Sequence, residues 1–207
     1  MYLEVYTLLK KAKQHLLAIR VRLVTDLILK GKGITVSGKP KFVGMPNLVF
    51  GKDALIVIGS GFICRSTPEY AIGNFCCSKI DVREGGKLII GENVGISNTV
   101  IQCHKEIKIG NYVNIGDGVL IMDTNFHSTN WKLRADRKND TKNKKSASII
   151  IGDYVFIGAR SIICKGVAIG EKSIIAAGSV VIKDIPSNVI AGGNPCRVIK
   201  TIDEGEI

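Results

Sequence analysis

A repeat of six residues runs along the C-terminal part of the sequence and constrains the fold more than any other feature. From Ile151 the sequence reads IGDYVF, IGARSI, ICKGVA, IGEKSI, IAAGSV and VIKDIP, which are six consecutive hexads in phase. Shorter sets pass through Ile90 and Ile109, and a weaker set surrounds Ile58. A period of six fits neither an amphipathic helix nor the alternation of an open sheet. It predicts a short strand and a tight corner, repeated three times in each triangular coil of a parallel β-helix.

The first position of each hexad predicts the core. It holds Ile or Val in all six hexads, and we expect these side chains to point inward and stack on the coil below, about 4.8 Å away. The second position is most often Gly, which we expect where the chain turns. A narrow interior also accounts for an aromatic content of only 6%. The predicted fold class is therefore an all-β core made of hexapeptide repeats.

The N-terminal segment does not follow the repeat. It is rich in Leu, Ile and Val and has neither Gly nor Pro before Gly31, which predicts an amphipathic helix that ends there. We therefore divide the chain into this helix (1–32), the β-helix domain (33–201) and a short tail (202–207). The helix is expected to cap the first coils or to pack on a partner. Peripheral contact with a membrane is the alternative.

The positive charge is concentrated in two segments. The net charge is +11, and residues 1–32 and 131–146 each carry seven basic and two acidic side chains. A nucleic-acid-binding protein more often spreads its basic residues along one face with aromatic residues between them, so we expect no nucleic-acid partner. The two basic segments fit anionic small molecules or a membrane surface better, while plain solvation is the alternative.

The repeat is interrupted once by a long polar segment. The hexads stop after Ile121 and resume in phase at Ile151, 30 residues later, which predicts a loop extruded near 128–148 from an otherwise continuous β-helix. A connection of this length is typically functional or disordered. His127 lies at the root of the loop, where the repeat requires an aliphatic residue. Since neutral imidazole can take a proton from a hydroxyl at neutral pH, His127 is our candidate general base.

The remaining histidines and the cysteines predict no metal site. His15 and His104 are expected on the surface, and three histidines without a close pair cannot supply the three ligands of a catalytic zinc. The six cysteines show neither a CxxC pair nor a metal-ligand spacing, so we expect reduced thiols in a cytoplasmic protein.

The hexads, the DTNFHS segment with its loop, and the ending IAGGNPCRVIK together resemble the hexapeptide-repeat acyltransferases. The likeness covers residues 50–201 and is greatest to bacterial sugar O-acetyltransferases of the maltose/galactoside and polysaccharide-biosynthesis type. It implies a left-handed β-helix, a homotrimer with active sites at subunit interfaces, and acetyl-CoA as the acetyl donor. It also implies that His127 deprotonates a sugar hydroxyl, which attacks the thioester directly while backbone N–H groups stabilise the oxyanion.

The same resemblance implies a set of binding residues. On the acceptor side these are Asn98, Asp123 and Phe156; support of a β-helix corner is the alternative role for Asn98. The coenzyme is expected against the small residues Ala159, Ala177 and Gly178, with Lys183, Arg197 and Lys200 at its phosphates. Related enzymes often have Ser at the position of Ala159 and Thr at that of Ile182. Backbone contacts are therefore expected to replace those side chains.

Three functions remain open at this point. The leading one is O-acetylation of a saccharide in surface-polysaccharide or related carbohydrate metabolism. N-acetylation of an amino-sugar nucleotide or an antibiotic is the second, and activity that survives His127→Ala would favour it. The third is a non-catalytic trimeric β-helix scaffold, which predicts no affinity for CoA.

Overall fold

The strands wind into a prism with three parallel faces. The computed structural model describes residues 2–73 and 76–202, so most of the predicted tail (203–207) lies outside the described residues. In the described part, the first sheet consists of β1 (Ile34–Val36), β4 (Leu55–Ile58), β7 (Lys87–Ile90), β10 (Glu106–Ile109), β13 (Ile149–Ile151) and β16 (Ala168–Ile169). The second consists of β2 (Lys41–Val43), β5 (Ile63–Arg65), β8 (Gly95–Ser97), β11 (Asn114–Ile115), β14 (Phe156–Ile157), β17 (Ile174–Ile175), β19 (Val189–Gly192) and the antiparallel β20 (Arg197–Thr201). The third consists of β3 (Asn47–Phe50), β6 (Lys79–Val82), β9 (Val100–Cys103), β12 (Leu120–Met122), β15 (Ile162–Ile163) and β18 (Val180–Val181).

The strand register confirms the predicted stacking of the hexads. Ile151 pairs with Ile169 in the first sheet, and Ile157 pairs with Ile175 in the second. Each pair is 18 residues apart, which is three hexads and one full coil. The first-position side chains are buried throughout the six hexads. Three parallel sheets of this kind behind an N-terminal helix are typical of a left-handed β-helix, and they confirm the predicted fold class.

The glycines at the second hexad position serve a different purpose from the predicted one. A Cβ added at Gly158 would lie 2.5 Å from the backbone N of Ala177, and one added at Gly170 would lie 2.3 Å from that of Ser187. These positions therefore require Gly because adjacent coils approach closely there. The left-handed backbone of the corners falls two residues later, for example at Tyr154 with a φ of 58°.

The N-terminal segment forms the predicted helix, α1 (Tyr2–Ile28). Val21 and Thr25 are buried against the first coil, and Leu29 packs on the edge of the core. A cavity of about 730 Å³ remains between α1 and the second sheet. Of the helices in residues 2–73 and 76–202, none has both the length and the apolar character needed to cross a membrane.

Two loops leave the prism at different edges. The expected one follows β12 and contains two short helices, α2 (Trp131–Arg134) and α3 (Arg137–Asn143). Its neck closes through a bridge between Thr124 and Ser146, and it returns to the first sheet at β13. The second loop, residues 66–78 between β5 and β6, was not expected from the sequence; it contains the 3₁₀ helix Pro68–Tyr70.

Candidate active site

His127 lies at the root of the extruded loop, on the edge of the prism between the third and first sheets. We call this line of corners the third–first edge. The Nδ1 atom of His127 is 2.6 Å from Oδ2 of Asp140, and 67% of the His127 side chain is exposed. In the neutral ring, Nδ1–H donates to the carboxylate and Nε2 carries the lone pair. The histidine thus presents an oriented, accessible imidazole nitrogen that can accept a proton.

The loop holds Asp140 in place through contacts of its own. The backbone N–H of Ser128 donates to Oδ1 of Asp140 at 2.6 Å, and Arg134 donates to the carbonyl oxygen of Ser128 at 2.7 Å. The hydrogen bonds from His127 and from the Ser128 amide lower the pKa of Asp140. The carboxylate is therefore ionised at neutral pH and suited to stabilise an imidazolium at His127.

Sequence reasoning missed Asp140. It lies in α3, 13 residues after His127, in a segment whose many charged side chains are typical of a solvated loop. The start of α3 carries a readable signal, since the side chain of Asp136 caps it by accepting from the Asn139 N–H at 2.8 Å. Because α3 begins at Arg137, Asp140 falls at the end of its first turn. That signal could place Asp140 on a helix, but only the folded loop brings it to His127.

Asp123 is buried below the loop and organises the neighbouring corner. Its carboxylate accepts hydrogen bonds from the backbone N–H groups of His104 (2.7 Å), Lys105 (2.6 Å) and Glu106 (2.9 Å). A carboxylate that accepts three backbone hydrogen bonds is well satisfied as an anion. These contacts give Asp123 a positioning role for the corner at His104. Its direct contact with an acceptor stays a prediction.

His104 is half-buried, whereas the sequence analysis expected it on the surface. Its Nδ1 atom lies 3.2 Å from the Lys144 ammonium group, and its ring packs edge-on against Phe126. Its Nε2 atom is buried without a hydrogen-bond partner in the described part of the chain. Burial, followed by the charge of Lys144, lowers the pKa of His104, so the ring is neutral at pH 7. The reason for the burial is the returning end of the loop, which brings Lys144 over this corner.

Asn98 lies on a different edge of the prism, between the second and third sheets. We call it the second–third edge. Its Nδ2 donates to Oδ1 of Asp117 at 2.7 Å, and its Oδ1 accepts from the Thr67 N–H at 3.1 Å. The residue is buried, with a left-handed φ of 44° that Asn tolerates well. These contacts agree with the alternative role that we gave Asn98, support of a corner. Its contact with an acceptor stays a prediction.

Residues 66–73 of the unexpected loop follow this second–third edge. The Ile72 N–H donates to Oδ2 of Asp117 at 2.9 Å, and the Ile72 carbonyl oxygen accepts from the Arg160 guanidinium. The loop thus crosses successive corners from Asn98 to Arg160. The sequence analysis missed this loop because the hexapeptide repeat is weak in the segments on both sides of it.

The predicted coenzyme residues occupy two regions of the upper coils. Three of them share the second–third edge, in the corners above Asn98: Ala159, Ala177 and Gly178. Gly178 is exposed and has a φ of 72°, and a Cβ added there would meet nothing within 4 Å. Lys183 is exposed on the third–first edge, whereas Arg197 and Lys200 lie on β20 at the end of the second sheet.

The predicted residues do not form one site within a single protomer. His127, Asp123 and Lys183 share the third–first edge, while Asn98 and the small coenzyme residues share the second–third edge. Phe156 is 46% exposed on β14 of the second sheet, the face opposite the corner of His127. No group of three or more His, Cys, Asp or Glu side chains suited to a metal ion occurs among residues 2–73 and 76–202.

Known proteins match both the repeat and the surrounding coils. The family described as the hexapeptide repeat of succinyl-transferase matches residues 148–183. A galactoside O-acetyltransferase of Escherichia coli (strain K12) is 38% identical over 120 residues, which cover 55% of this chain and 57% of the relative. One from Lactococcus lactis subsp. lactis is 42% identical over 109 residues, covering 53% of this chain and 50% of the relative.

A solved structure shows the same architecture. A hexapeptide-repeat acetyltransferase from Vibrio cholerae superposes with a TM-score of 0.53 at 26% identity, covering 75% of this chain and 74% of that one. The chain spans only about half the length of the two galactoside O-acetyltransferases that it matches.

Proposed function

We propose that this chain, which resembles the hexapeptide-repeat acetyltransferases and among them the galactoside O-acetyltransferases, transfers an acetyl group from acetyl-CoA to a sugar hydroxyl. The observation that carries the proposal is the His127–Asp140 pair at the root of the extruded loop. Such a pair activates a hydroxyl for attack on a carbonyl carbon. We propose the cytoplasm as the location of the reaction, because acetyl-CoA is supplied there.

In this mechanism His127 acts first as a base and then as an acid. Nε2 takes the proton from the acceptor hydroxyl while the hydroxyl oxygen forms a bond to the thioester carbonyl carbon. The carboxylate of Asp140 stabilises the imidazolium that results. When the carbon–sulfur bond breaks, Nε2–H returns the proton to the leaving sulfur, so the histidine ends the cycle neutral. The products are the acetylated sugar and free CoA thiol.

The small corner residues suit a coenzyme in extended conformation. Ala177 and Gly178 are exposed, so nothing beyond a methyl group separates a ligand from the backbone there. Lys183 on the third–first edge and Arg197 on β20 are both exposed on the upper coils, and their cations can pair with phosphate oxygens. We propose that these residues, with Ala159 and Lys200, bind the coenzyme.

The separation of the two edges supports a homotrimer with shared active sites. In one protomer the third sheet lies between His127 and the second–third edge that carries Asn98 and Gly178. A neighbouring protomer can bring its own second–third edge to the His127 of the first. In a closed threefold ring each interface then holds one such site. We propose this arrangement, with Asn98, Asp123 and Phe156 on the acceptor side.

The test is release of CoA thiol from acetyl-CoA over a panel of sugars, sugar nucleotides and amino-sugars. We expect release that depends on a hydroxyl acceptor and that falls by about 10²-fold or more in His127→Ala. His15→Ala is the matched control, because His15 lies exposed on α1 and we expect wild-type rates from it. Release that survives His127→Ala with an amine acceptor would instead assign N-acetylation. The lack of both release and acetyl-CoA binding would leave a trimeric scaffold.

A further inference from the structure

The outward side of α1 carries an uncovered apolar stripe. At 3.6 residues per turn, the buried Val21 and Thr25 lie on one side of the helix, and Leu9, Leu16 and Leu23 lie on the other. These three leucines are 65%, 68% and 66% exposed. Further exposed apolar residues flank them on the same side: Leu8, Ile19 and Leu27. The β-helix therefore covers one side of the helix and leaves the apolar stripe on the other side uncovered.

The spacing shows that the stripe is continuous. Leu9, Leu16 and Leu23 follow one another at intervals of seven residues, and seven residues bring a helix back to the same side within about 20°. The stripe extends over the greater part of α1, whose 27 residues span about 40 Å. Exposed apolar surface of this extent on one helix marks an interaction site.

The charged residues around the stripe indicate which kind of partner it binds. Lys13 and Arg20, also seven residues apart, are exposed alongside the leucines, and residues 1–32 carry seven basic against two acidic side chains. Pairing the stripe with that of a second copy would bring two segments of charge +5 together. The surface therefore complements an extended apolar layer that carries negative charge.

We propose that α1 docks flat on an anionic lipid bilayer surface, with the leucine stripe in the acyl–headgroup boundary and the flanking cations at lipid phosphates. A helix with a long apolar side and basic flanks binds in this orientation. The proposal is independent of acetyl transfer.

The proposal is tested by flotation of the purified protein with phosphatidylcholine vesicles, with and without phosphatidylglycerol. We expect binding to the anionic vesicles only, and its loss at high salt. Leu16→Gln/Leu23→Gln and Lys13→Gln/Arg20→Gln should each lower the partition coefficient about tenfold or more. The matched controls are Leu55→Gln/Ile150→Gln for exposed apolar residues of the prism and Lys52→Gln/Lys172→Gln for its exposed cations. Both controls should bind like wild type.

Circular dichroism and light scattering measure whether each variant keeps the fold and the oligomeric state of the wild-type protein. All four double variants should retain the wild-type spectrum, because the substituted side chains are exposed. Equal binding to both types of vesicle, or binding that neither α1 variant lowers, would overturn the proposal. So would a smaller oligomer for Leu16→Gln/Leu23→Gln than for wild type, since it would assign the stripe to a second copy of the chain.

Discussion

The Nδ1 atom of His127 lies 2.6 Å from the Oδ2 atom of Asp140, across an extruded loop that the Thr124–Ser146 bridge closes at its base. The loop is thus folded around this contact rather than simply tethered to the prism. Two hydrogen bonds fix Asp140, one from the His127 ring and one from the Ser128 amide. A histidine held in this way has one tautomer and one orientation.

Asp140→Asn should lower kcat by about 10²-fold or more while leaving the KM for acetyl-CoA unchanged. The amide can still accept a hydrogen bond from the Ser128 N–H, but it no longer stabilises an imidazolium at His127. Steady-state kinetics with the acceptor that the CoA-release panel selects measure both constants. Asp136→Asn is the matched control, because Asn at that position still caps α3 and wild-type kinetics are expected. An unchanged kcat in Asp140→Asn would remove this carboxylate from the mechanism.

The lowered pKa of Asp140 also determines how its contribution to the free energy of unfolding changes with pH. A carboxyl group with a depressed folded pKa stabilises the fold above its unfolded pKa of about 3.9, and this contribution is lost as the pH falls through the lower folded value. Asp140→Asn should therefore reduce the free energy of unfolding at pH 7. The difference in the free energy of unfolding between Asp140→Asn and wild type should shrink below about pH 4. Urea titrations at a series of pH values measure it. A difference that is constant with pH would contradict this linkage.

Asn98→Ala should lower the free energy of unfolding by about 1–3 kcal/mol, because it removes hydrogen bonds that the buried Asp117 carboxylate and the Thr67 amide make. Urea unfolding measures the loss. Asn93→Ala is the matched control, since Asn93 has a similar left-handed φ of 55° but lies exposed. If Asn98→Ala costs no more than Asn93→Ala, the structural role is wrong. An effect on the acceptor KM without an effect on stability would favour the binding role.

Lys144→Met should raise the pKa of His104, since it removes the cation 3.2 Å from Nδ1. The pKa should stay below its ordinary value of about 6.5, because burial is the larger cause of the shift. Titration of the His104 ring signals by NMR gives the value directly. Lys142→Met, on the same loop, should leave the pKa unchanged. A pKa that does not move in Lys144→Met would show that Lys144 does not act on this ring.

The lowered pKa of His104 also makes the stability of the wild-type fold sensitive to acid. Because its folded pKa is lowered, the unfolded chain binds the proton more readily, and the free energy of unfolding falls as the pH drops below about 6.5. A smaller shift in Lys144→Met should reduce this loss between about pH 6.5 and the folded pKa. Thermal unfolding at a series of pH values measures it. A profile identical to that of wild type would contradict the linkage.

The native protein should react with maleimide at Cys76 and Cys77 and resist it at Cys64 and Cys103. The first two are exposed, whereas burial raises the pKa of both Cys64 and Cys103 to about 12. The reactive thiolate is then almost absent from the buried pair. Peptide mass spectrometry after brief labelling locates the modified residues, and labelling in urea should reach all six cysteines. Rapid native labelling of Cys64 would show that the prism opens there.

The sequence by itself determined the prism. Each hexad repeats one local pattern, and residues 18 positions apart, such as Ile157 and Ile175, come into register once three hexads close a coil. The hexads that resume at Ile151 likewise predicted that the β-helix continues beyond the loop, and β13 does follow β12 on the next face of the prism. These predictions succeeded because a periodic pattern carries its own geometry, and burial of the aliphatic position allows one register only.

The tertiary structure decided the site. His127 was visible as a break in the pattern, but Asp140 became its partner only when the loop folded back on its own root. The corner contacts of Asn98 depend on the 66–78 loop, which has no repeat to place it. The separation of His127 and Asn98 on different edges follows from the winding of the coils. Irregular loops find their partners through contacts between residues distant in sequence, and no local period encodes such contacts.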